Sequence, residues 1–264
     1  MALHKLKSDI VEIYESRSVL YALIRRDLVG RYKYSTLGFA WHFFIPLIML
    51  CIYYIIFSEI RKSPIEDFSV YLLSGLFPFT FLNSNLSGGA GCITSNASMV
   101  KKMYFPREIL ILSQGISSFI IMLIGFSASC AFILLTGFSI NLYSVIIVPM
   151  ILILELIFVL GFVSIISSIN VYHRDVQHFL SSISLVFFFT TPIYFTMEDV
   201  SEPFSSIIWL NPFTYYIDSL HQCIYYGSYP STTTIICCIA ISLITFLIGY
   251  VTFNRLKRGF AERL

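Results

Sequence analysis

The sequence predicts an all-α integral membrane protein: six transmembrane helices, an N-terminal amphipathic interfacial helix, and short re-entrant helices in the last external loop. Three observations lead there. Hydrophobic residues make up 57% of the 264 and charged residues only 12%, about half the charge of an ordinary soluble domain. The apolar residues gather in runs of roughly 20, the length a helix needs to cross the hydrocarbon core. Finally, 15 of the 17 Lys and Arg residues fall in segments that share one side once the runs are threaded through a bilayer, as the positive-inside rule requires.

The elements follow in order. Residues 1–15 are polar, mixed in charge and lack the apolar run of a signal peptide, so no cleavage is expected. Residues 17–34 read as a helix lying on the membrane surface. Leu20, Ile24, Leu28 and Tyr32 form one ridge, Leu23 widens it, and Arg25, Arg26 and Lys33 reach headgroups or a soluble partner. Asp27 and Arg31 interrupt the ridge but can pair at i,i+4. The simpler alternative is a basic flank that only orients the first span.

Six spans follow, at about 37–58, 70–94, 109–136, 142–169, 179–197 and 233–254. The second carries Ser74, Pro78, Thr80, Asn83, Asn85, Ser87 and a Gly-rich run at 88–91. Its polar groups should face other helices or a cavity, because lipid cannot satisfy them. Residues 97–108 join the second and third spans on the basic side. There Lys101, Lys102 and Arg107 surround Met103, Tyr104 and Phe105, and Pro106 suits the first turn of the next helix. Exposed aromatics among charges read either as a docking surface or as interface anchors. Glu155 lies inside the fourth span, and a lone intramembrane acid marks ion movement or a hydrogen bond to a neighbouring helix, the structural reading being favoured.

The turn at 170–178 holds His173, Arg174 and Asp175. No nearby nucleophile or ligand set supports catalysis, so a charged turn touching a partner is the reading. Loop 198–232 has four acids and no Lys or Arg, hence an external position. Its apolar content, from Pro203 through Trp209 to Leu220, is too high for a solvated loop and fits short helices dipping into the outer half of the membrane, or else a small cap packed on the spans. Of the six Cys, only Cys223 falls in a segment expected to be exposed, and no disulfide or metal spacing emerges. Nothing divides the chain, so 1–264 is read as one domain: an N-terminal segment 1–36, a six-span core 37–254 and a tail 255–264. Aromatics at 17% suit interfacial belts, lipid-facing surfaces or an aromatic-lined conduit.

Two missing patterns narrow the function. There is no G-x-x-x-x-G-K-[ST] loop, so ATP is not bound in the P-loop manner. There is no series of intramembrane acids and arginines of the kind ion-coupled carriers use. A pump built on this chain needs energy from another polypeptide.

Several stretches then form an ordered set: Arg26 through Gly38 (RDLVGRYKYSTLG) leading to Trp41 and Pro46, Lys101 through Arg107 (KKMYFPR), Tyr172 through Asp175 (YHRD), Pro192 through Tyr194 (PIY), Asn211 through Phe213 (NPF), and Phe253 through Lys257 with Phe260 through Glu262 in the tail. In order and spacing they resemble the membrane subunit of ABC-2 type polysaccharide exporters. That family includes permeases for lipid-linked O-antigen, group 2 capsule and teichoic acid. The resemblance spans nearly the whole chain. It implies a transport subunit that is not an enzyme by itself. It implies a second copy of the chain, two copies of a cytosolic ABC ATPase, and no cofactor in this chain, ATP and Mg belonging to the ATPase. It also implies an undecaprenyl-linked polysaccharide substrate, O-antigen favoured, no nucleic-acid partner, and a multi-pass position in the bacterial inner membrane with both termini cytoplasmic.

By the same resemblance, Arg25, Arg26, Arg31, Lys101, Lys102, Met103, Tyr104, Phe105, Arg107, His173, Arg174 and Asp175 contact the ATPase. Trp41, Tyr53, Tyr54 and Phe57 on the first span, and Phe187, Phe188, Phe189, Tyr194 and Phe195 on the fifth, become candidate glycan contacts, since aromatic faces suit the C–H surfaces of sugars. The competing readings are a capsule or teichoic acid permease, an ABC-2 permease for a drug or small lipid, a membrane acyl- or glycosyltransferase, and a channel.

Overall fold

A computed structural model describes residues 9, 11–30, 40–41, 44, 48, 51–52, 55–56 and 65–264. All regular structure among these residues is helical. The principal helices are α1 (Arg17–Gly30), α2 (Phe68–Ala90), α3 (Ala97–Lys102), α4 (Glu108–Leu135), α5 (Leu142–Val145), α6 (Val148–Tyr172), α7 (Asp175–Thr190), α8 (Phe204–Trp209), α9 (Pro212–Ile224), α10 (Thr232–Leu256) and α11 (Phe260–Arg263). Single 3-10 turns fill Thr94–Asn96, Met197–Asp199 and Lys257–Gly259.

Among the described residues, three segments are long and apolar enough to cross a membrane: Glu108–Leu135, Leu142–Tyr172 and Thr232–Gly259. They coincide with the third, fourth and sixth predicted spans. Most of the predicted span at 37–58 lies outside the described residues. The predicted span at 70–94 is α2, which is less greasy because it is the centre of the bundle. Leu72, Phe79, Leu82 and Leu86 are buried, and α4, α6, α7 and α9 all pack against it. The exposed positions among its described side chains, Thr80, Ser84 and Gly88, step by four along one narrow polar stripe. Two of its polar side chains find partners on other helices: Asn85 donates from Nδ2 to Ser118 Oγ at 3.1 Å, and Ser74 Oγ meets His221 Nδ1 at 2.8 Å.

The predicted span at 179–197 is shorter in the structure. α7 stops at Thr190, and Thr191 turns extended (φ −97°, ψ 131°), as the residue before a proline prefers. Sixteen residues rise about 24 Å, less than the roughly 30 Å of a hydrocarbon core. The remainder, Pro192 to Tyr194, is a bend on which α9 closes.

The most extensive helix pair is α6 with α10, and two glycines set its spacing. A Cβ on Gly249 would lie 2.3 Å from the Gly161 carbonyl oxygen, and one on Gly161 would lie 2.5 Å from the backbone of Phe246. Small residues at the crossing let the two backbones touch, the packing favoured where lipid removes the hydrophobic drive between helices.

Segment 198–232 is more structured than a loop. α9 buries Phe213, Tyr216, Ile217, Leu220, Cys223 and Ile224 against the bundle. Cys223, expected to be exposed, is fully buried. The helix has an apolar face at i, i+3, i+4 and i+7, and Cys223 falls on it.

Candidate functional site

One end of the bundle collects the basic segments. α1 docks on the start of α4 through Leu23, which packs with Val100, Phe105, Ile109 and Leu110, with Val19, Leu20 and Met99 around it. Thus one part of the predicted ridge seats on protein, while Tyr21 and Val29 stay exposed. Arg26 Nη1 donates to Asn96 Oδ1 at 2.9 Å, which ties α1 to the turn before α3. Asp27 pairs with the adjacent Arg26. The expected Asp27 partner, Arg31, lies outside the described residues.

After α3 the chain turns extended at Met103 (φ −126°, ψ 141°). Phe105 is buried and anchors the segment, whereas Tyr104 is 97% exposed and Met103 projects beside it. Lys101 and Lys102 are exposed on the same tip. Pro106 sits just before α4, and its carbonyl accepts from Ile109 N at 3.1 Å.

Arg107 behaves differently from its neighbours. Its guanidinium donates to the Lys257 carbonyl and lies 5.9 Å from the Phe260 ring centre. Lys257 in turn pairs with Glu108. Arg107 is therefore a strap between the start of α4 and the C-terminal tail.

The 170–178 turn joins the same end. Tyr172 donates to the Leu256 carbonyl at 3.0 Å, and Asn170 Nδ2 to the Ala90 carbonyl at 3.0 Å. His173, Arg174 and Asp175 are exposed, with Asp175 opening α7. No group of three or more His, Cys, Asp or Glu capable of holding a metal ion occurs among the described residues. Of the twelve residues singled out for ATPase contact, Arg25, Arg26, Lys101, Lys102, Met103, Tyr104, His173, Arg174 and Asp175 are exposed here. Phe105 and Arg107 support them, and Arg31 lies outside the described residues.

The aromatic candidates divide by the face of α7 they occupy. Phe187 stacks on Phe213 with ring centres 4.8 Å apart, and Phe188 meets Phe79 edge-on at 5.6 Å. Both point into the bundle. Phe189 is 59% exposed and continues a stripe with Phe179, Leu185 and Val186. Tyr194 packs over Phe188, and Phe195 packs against Tyr194. Trp41 is helical and 41% exposed. Tyr53, Tyr54 and Phe57 lie outside the described residues.

At the opposite end, a buried polar node links α2, α9 and the bend after α7. Tyr71 and His221 stack at 3.9 Å, and Tyr71 donates to the Phe195 carbonyl at 2.7 Å. His221 Nε2 faces the Pro192 carbonyl at 3.0 Å, and Nδ1 faces Ser74 Oγ. A carbonyl only accepts, so Nε2 carries the proton and, in the neutral ring, Ser74 donates to Nδ1. Burial pushes His221 down to about 3, because enclosure disfavours the charged imidazolium. Asn211 works alongside. Its side chain accepts from Phe213 N, capping α9, and donates to Thr191 Oγ1 at 2.8 Å. Asn211 and Pro192 lie in stretches singled out from sequence and Ser74 among the polar residues of the second span, but Tyr71, Thr191 and His221 escaped sequence reasoning. The signal was the polar series Thr214, Asp218, His221 and Gln222 at helical spacing within an apolar segment.

Glu155 is fully buried on α6, and neither carboxylate oxygen has a hydrogen-bond partner among the described residues. The expected bond to a neighbouring helix is not made, although Tyr216 and Ser242 bond one another nearby at 2.7 Å.

Residues 18–225 match the model of the family described as ABC-2 type transporter. The chain is similar to O-antigen export system permease protein RfbA of Klebsiella pneumoniae, with 30% identity over 260 residues, 98% of this chain and 99% of that protein. It is similar also to the protein of the same description from Myxococcus xanthus, with 26% identity over 258 residues, 96% of this chain and 98% of the other. A partial similarity, 28% over 127 residues and 47% of this chain, links it to capsule polysaccharide export inner-membrane protein CtrC of Neisseria meningitidis serogroup B, of which it covers 46%.

Proposed function

The chain belongs to the ABC-2 type transporter family, and from that premise we propose that it is the membrane subunit of an ATP-driven exporter of lipid-linked polysaccharide, O-antigen foremost. The observation that carries this reading is the near-full-length similarity to permeases of O-antigen export systems. Two copies form the passage in the bacterial inner membrane, and two cytosolic ABC ATPase subunits, holding ATP and Mg, drive it. Each copy threads six spans, with α2 and α7 among them. α8 and α9 form the re-entrant pair on the outer side, and both termini lie in the cytoplasm.

The exposed Met103–Tyr104 tip, flanked by Lys101 and Lys102 and braced on Phe105, is the point where the ATPase pushes. Desolvated aromatics ringed by charge are the usual energetic centres of such contacts. α1 and the His173-Arg174-Asp175 turn complete the face. Because α1, α3 and the tail are fastened to the start of α4 and the ends of α6 and α10, a push on the tip is carried into the spans as a rigid-body shift. Trp41 and the exposed stripe of α7 through Phe189 line the route for sugar; Tyr53, Tyr54 and Phe57 extend it on the first span, and Tyr194 and Phe195 mark its outer end. Phe187 and Phe188 hold that wall from behind.

A capsule permease is the second reading, favoured by the partial similarity to a capsule export protein. Deleting the gene and locating the polymer separates the readings. Lipid-linked O-antigen trapped in the cytoplasm is the expected result. Trapped capsule selects the second reading, and normal amounts of both polymers at the surface overturn both.

A further inference from the structure

Two cavities meet at the basic end of the bundle. The first, about 220 Å³, is walled by Ile13 from the N-terminal segment, Ile111 and Leu112 of α4, Leu160 of α6 and Phe246 of α10. Apart from Asp9 and Ile13, its walls belong to the three helices apolar enough to cross a membrane, so it opens where lipid chains run. Asp9 borders it and accepts from the Tyr250 hydroxyl at 2.8 Å, which lays the N-terminal segment across one side. The second cavity, about 300 Å³, is polar. Arg107, Lys257 and Arg258 line it, with Glu12, Tyr104 and Glu108.

Glu108 lines both cavities. Its carboxylate is paired with Lys257, so the partition between them is an ion pair and not a wall of packed core. An apolar slot and a polar chamber with three cations thus lie head to tail. Of those cations, Arg258 is exposed and makes no ion pair among the described residues. The polar chamber holds three cations against two acids, with Lys101 and Lys102 close by in sequence.

We propose that the two cavities together hold one membrane phospholipid with an anionic headgroup, an acyl chain in the apolar slot and the phosphate between Lys257 and Arg258. The reading rests on the cytoplasmic placement of the basic end but not on what is exported. The lipid locks the N-terminal segment, α4 and the tail into one unit. Anionic headgroups are attracted by each nearby basic residue at about fivefold in affinity, and burying chain methylenes supplies the remainder.

The test is native mass spectrometry of the full chain, purified without ATPase or polymer and incubated with phosphatidylglycerol or phosphatidylethanolamine. The expected result is one retained phosphatidylglycerol per chain, at least about fivefold over phosphatidylethanolamine. Ser164→Trp and Leu112→Trp, which fill the slot from opposite walls, should strip both lipids. Arg258→Glu, at the exposed rim where folding is indifferent, should abolish the headgroup preference while leaving chain-driven retention. Equal retention of the two lipids by the wild type, or an unchanged preference in Arg258→Glu, overturns the proposal. So does displacement of the phospholipid by equimolar undecaprenyl diphosphate, which would give the site to substrate. A chain that binds lipid as expected yet exports no polymer leaves this inference standing and removes the transport reading.

Discussion

Tyr104 and Arg107 are three residues apart on one short segment, and the structure gives them opposite work. Tyr104 projects into solvent, and its hydroxyl donates to Glu12 at 3.5 Å, a long exposed bond that adds little to folding. Tyr104→Ala with Lys101→Glu and Lys102→Glu should leave the melting temperature in detergent unchanged. It should cut co-purification with the ATPase about tenfold or more, as loss of a buried aromatic anchor does. Unchanged ATP turnover in the reconstituted complex would sink the docking assignment. Arg107→Ala should act the other way. It removes the charge-assisted hydrogen bond to the Lys257 carbonyl, which keeps Phe260 N as a donor, a loss of about 1.5–3 kcal/mol, and frees the tail to proteolysis. A tail as resistant as wild type would refute the strap. The sequence KKMYFPR alone groups these residues by charge and aromaticity. What it does not show is which of them faces inward, because that depends on Phe260 and Lys257, about 150 positions away.

His221 is also a residue-scale case. Its folded value of about 3 lies below the ordinary 6.5, so the unfolded chain binds the extra proton between those values. The histidine's contribution is fully present above pH 6.5 and is lost as pH falls below it. At pH 5 the loss is about 2 kcal/mol at 1.36 kcal/mol per unit. Asp218, raised to about 6 by burial, contributes with the opposite sign in the same window. The comparison is therefore between wild type and His221→Gln, which shares Asp218. Wild type should lose thermal stability relative to the variant from pH 7 to pH 5, and parallel curves would rule the idea out.

Helix packing sets the next scale. The α6–α10 crossing depends on Gly161 and Gly249 because each Cβ would strike backbone, which cannot rotate away. Gly249→Ala should destabilise the chain by about 1–3 kcal/mol or more, the range of overpacking. It should also lower the yield of folded protein in membranes. Gly88→Ala is the control: its Cβ would meet only Gln114 Nε2, at 3.7 Å, so the change should be neutral or stabilising by roughly 0.4–1 kcal/mol. Equal thermal shifts for the two would show that the crossing is not set by glycine. The greasy helices α4, α6 and α10 were legible from sequence because lipid imposes length and composition on any segment that faces it. α7 and α9 were not. The end of α7 is set by Pro192 and by the hydrogen bonds from Asn211 to Thr190 and Thr191, and those partners are about 20 residues apart. The buried state of Cys223 follows from where α9 lies, not from its own neighbours in sequence.

At the scale of the whole molecule, the distribution of charge and the packing of helices make one combined claim. The threading read from sequence puts fifteen cations on one side of a bilayer, which would bias insertion, and the structure gathers the described segments that carry them at one end. Arg26 reaches the turn before α3, Arg107 reaches Lys257, and Tyr172 reaches Leu256. Segment 198–232, with four acids and no Lys or Arg, packs instead around Pro192, Tyr71 and Glu66. A membrane between the two ends follows if α4, α6 and α10 each cross it once, since each carries chain from one end to the other. Tyr104→Cys and Glu198→Cys, made separately in a cysteine-free chain, test this directly in spheroplasts with a membrane-impermeant maleimide. Position 198 should label at once, and position 104 only after permeabilisation. The reverse order would place Met103, Tyr104 and the tail outside the cell, beyond the reach of any cytosolic ATPase. The coupling face and the inner-leaflet phospholipid site would then fall together.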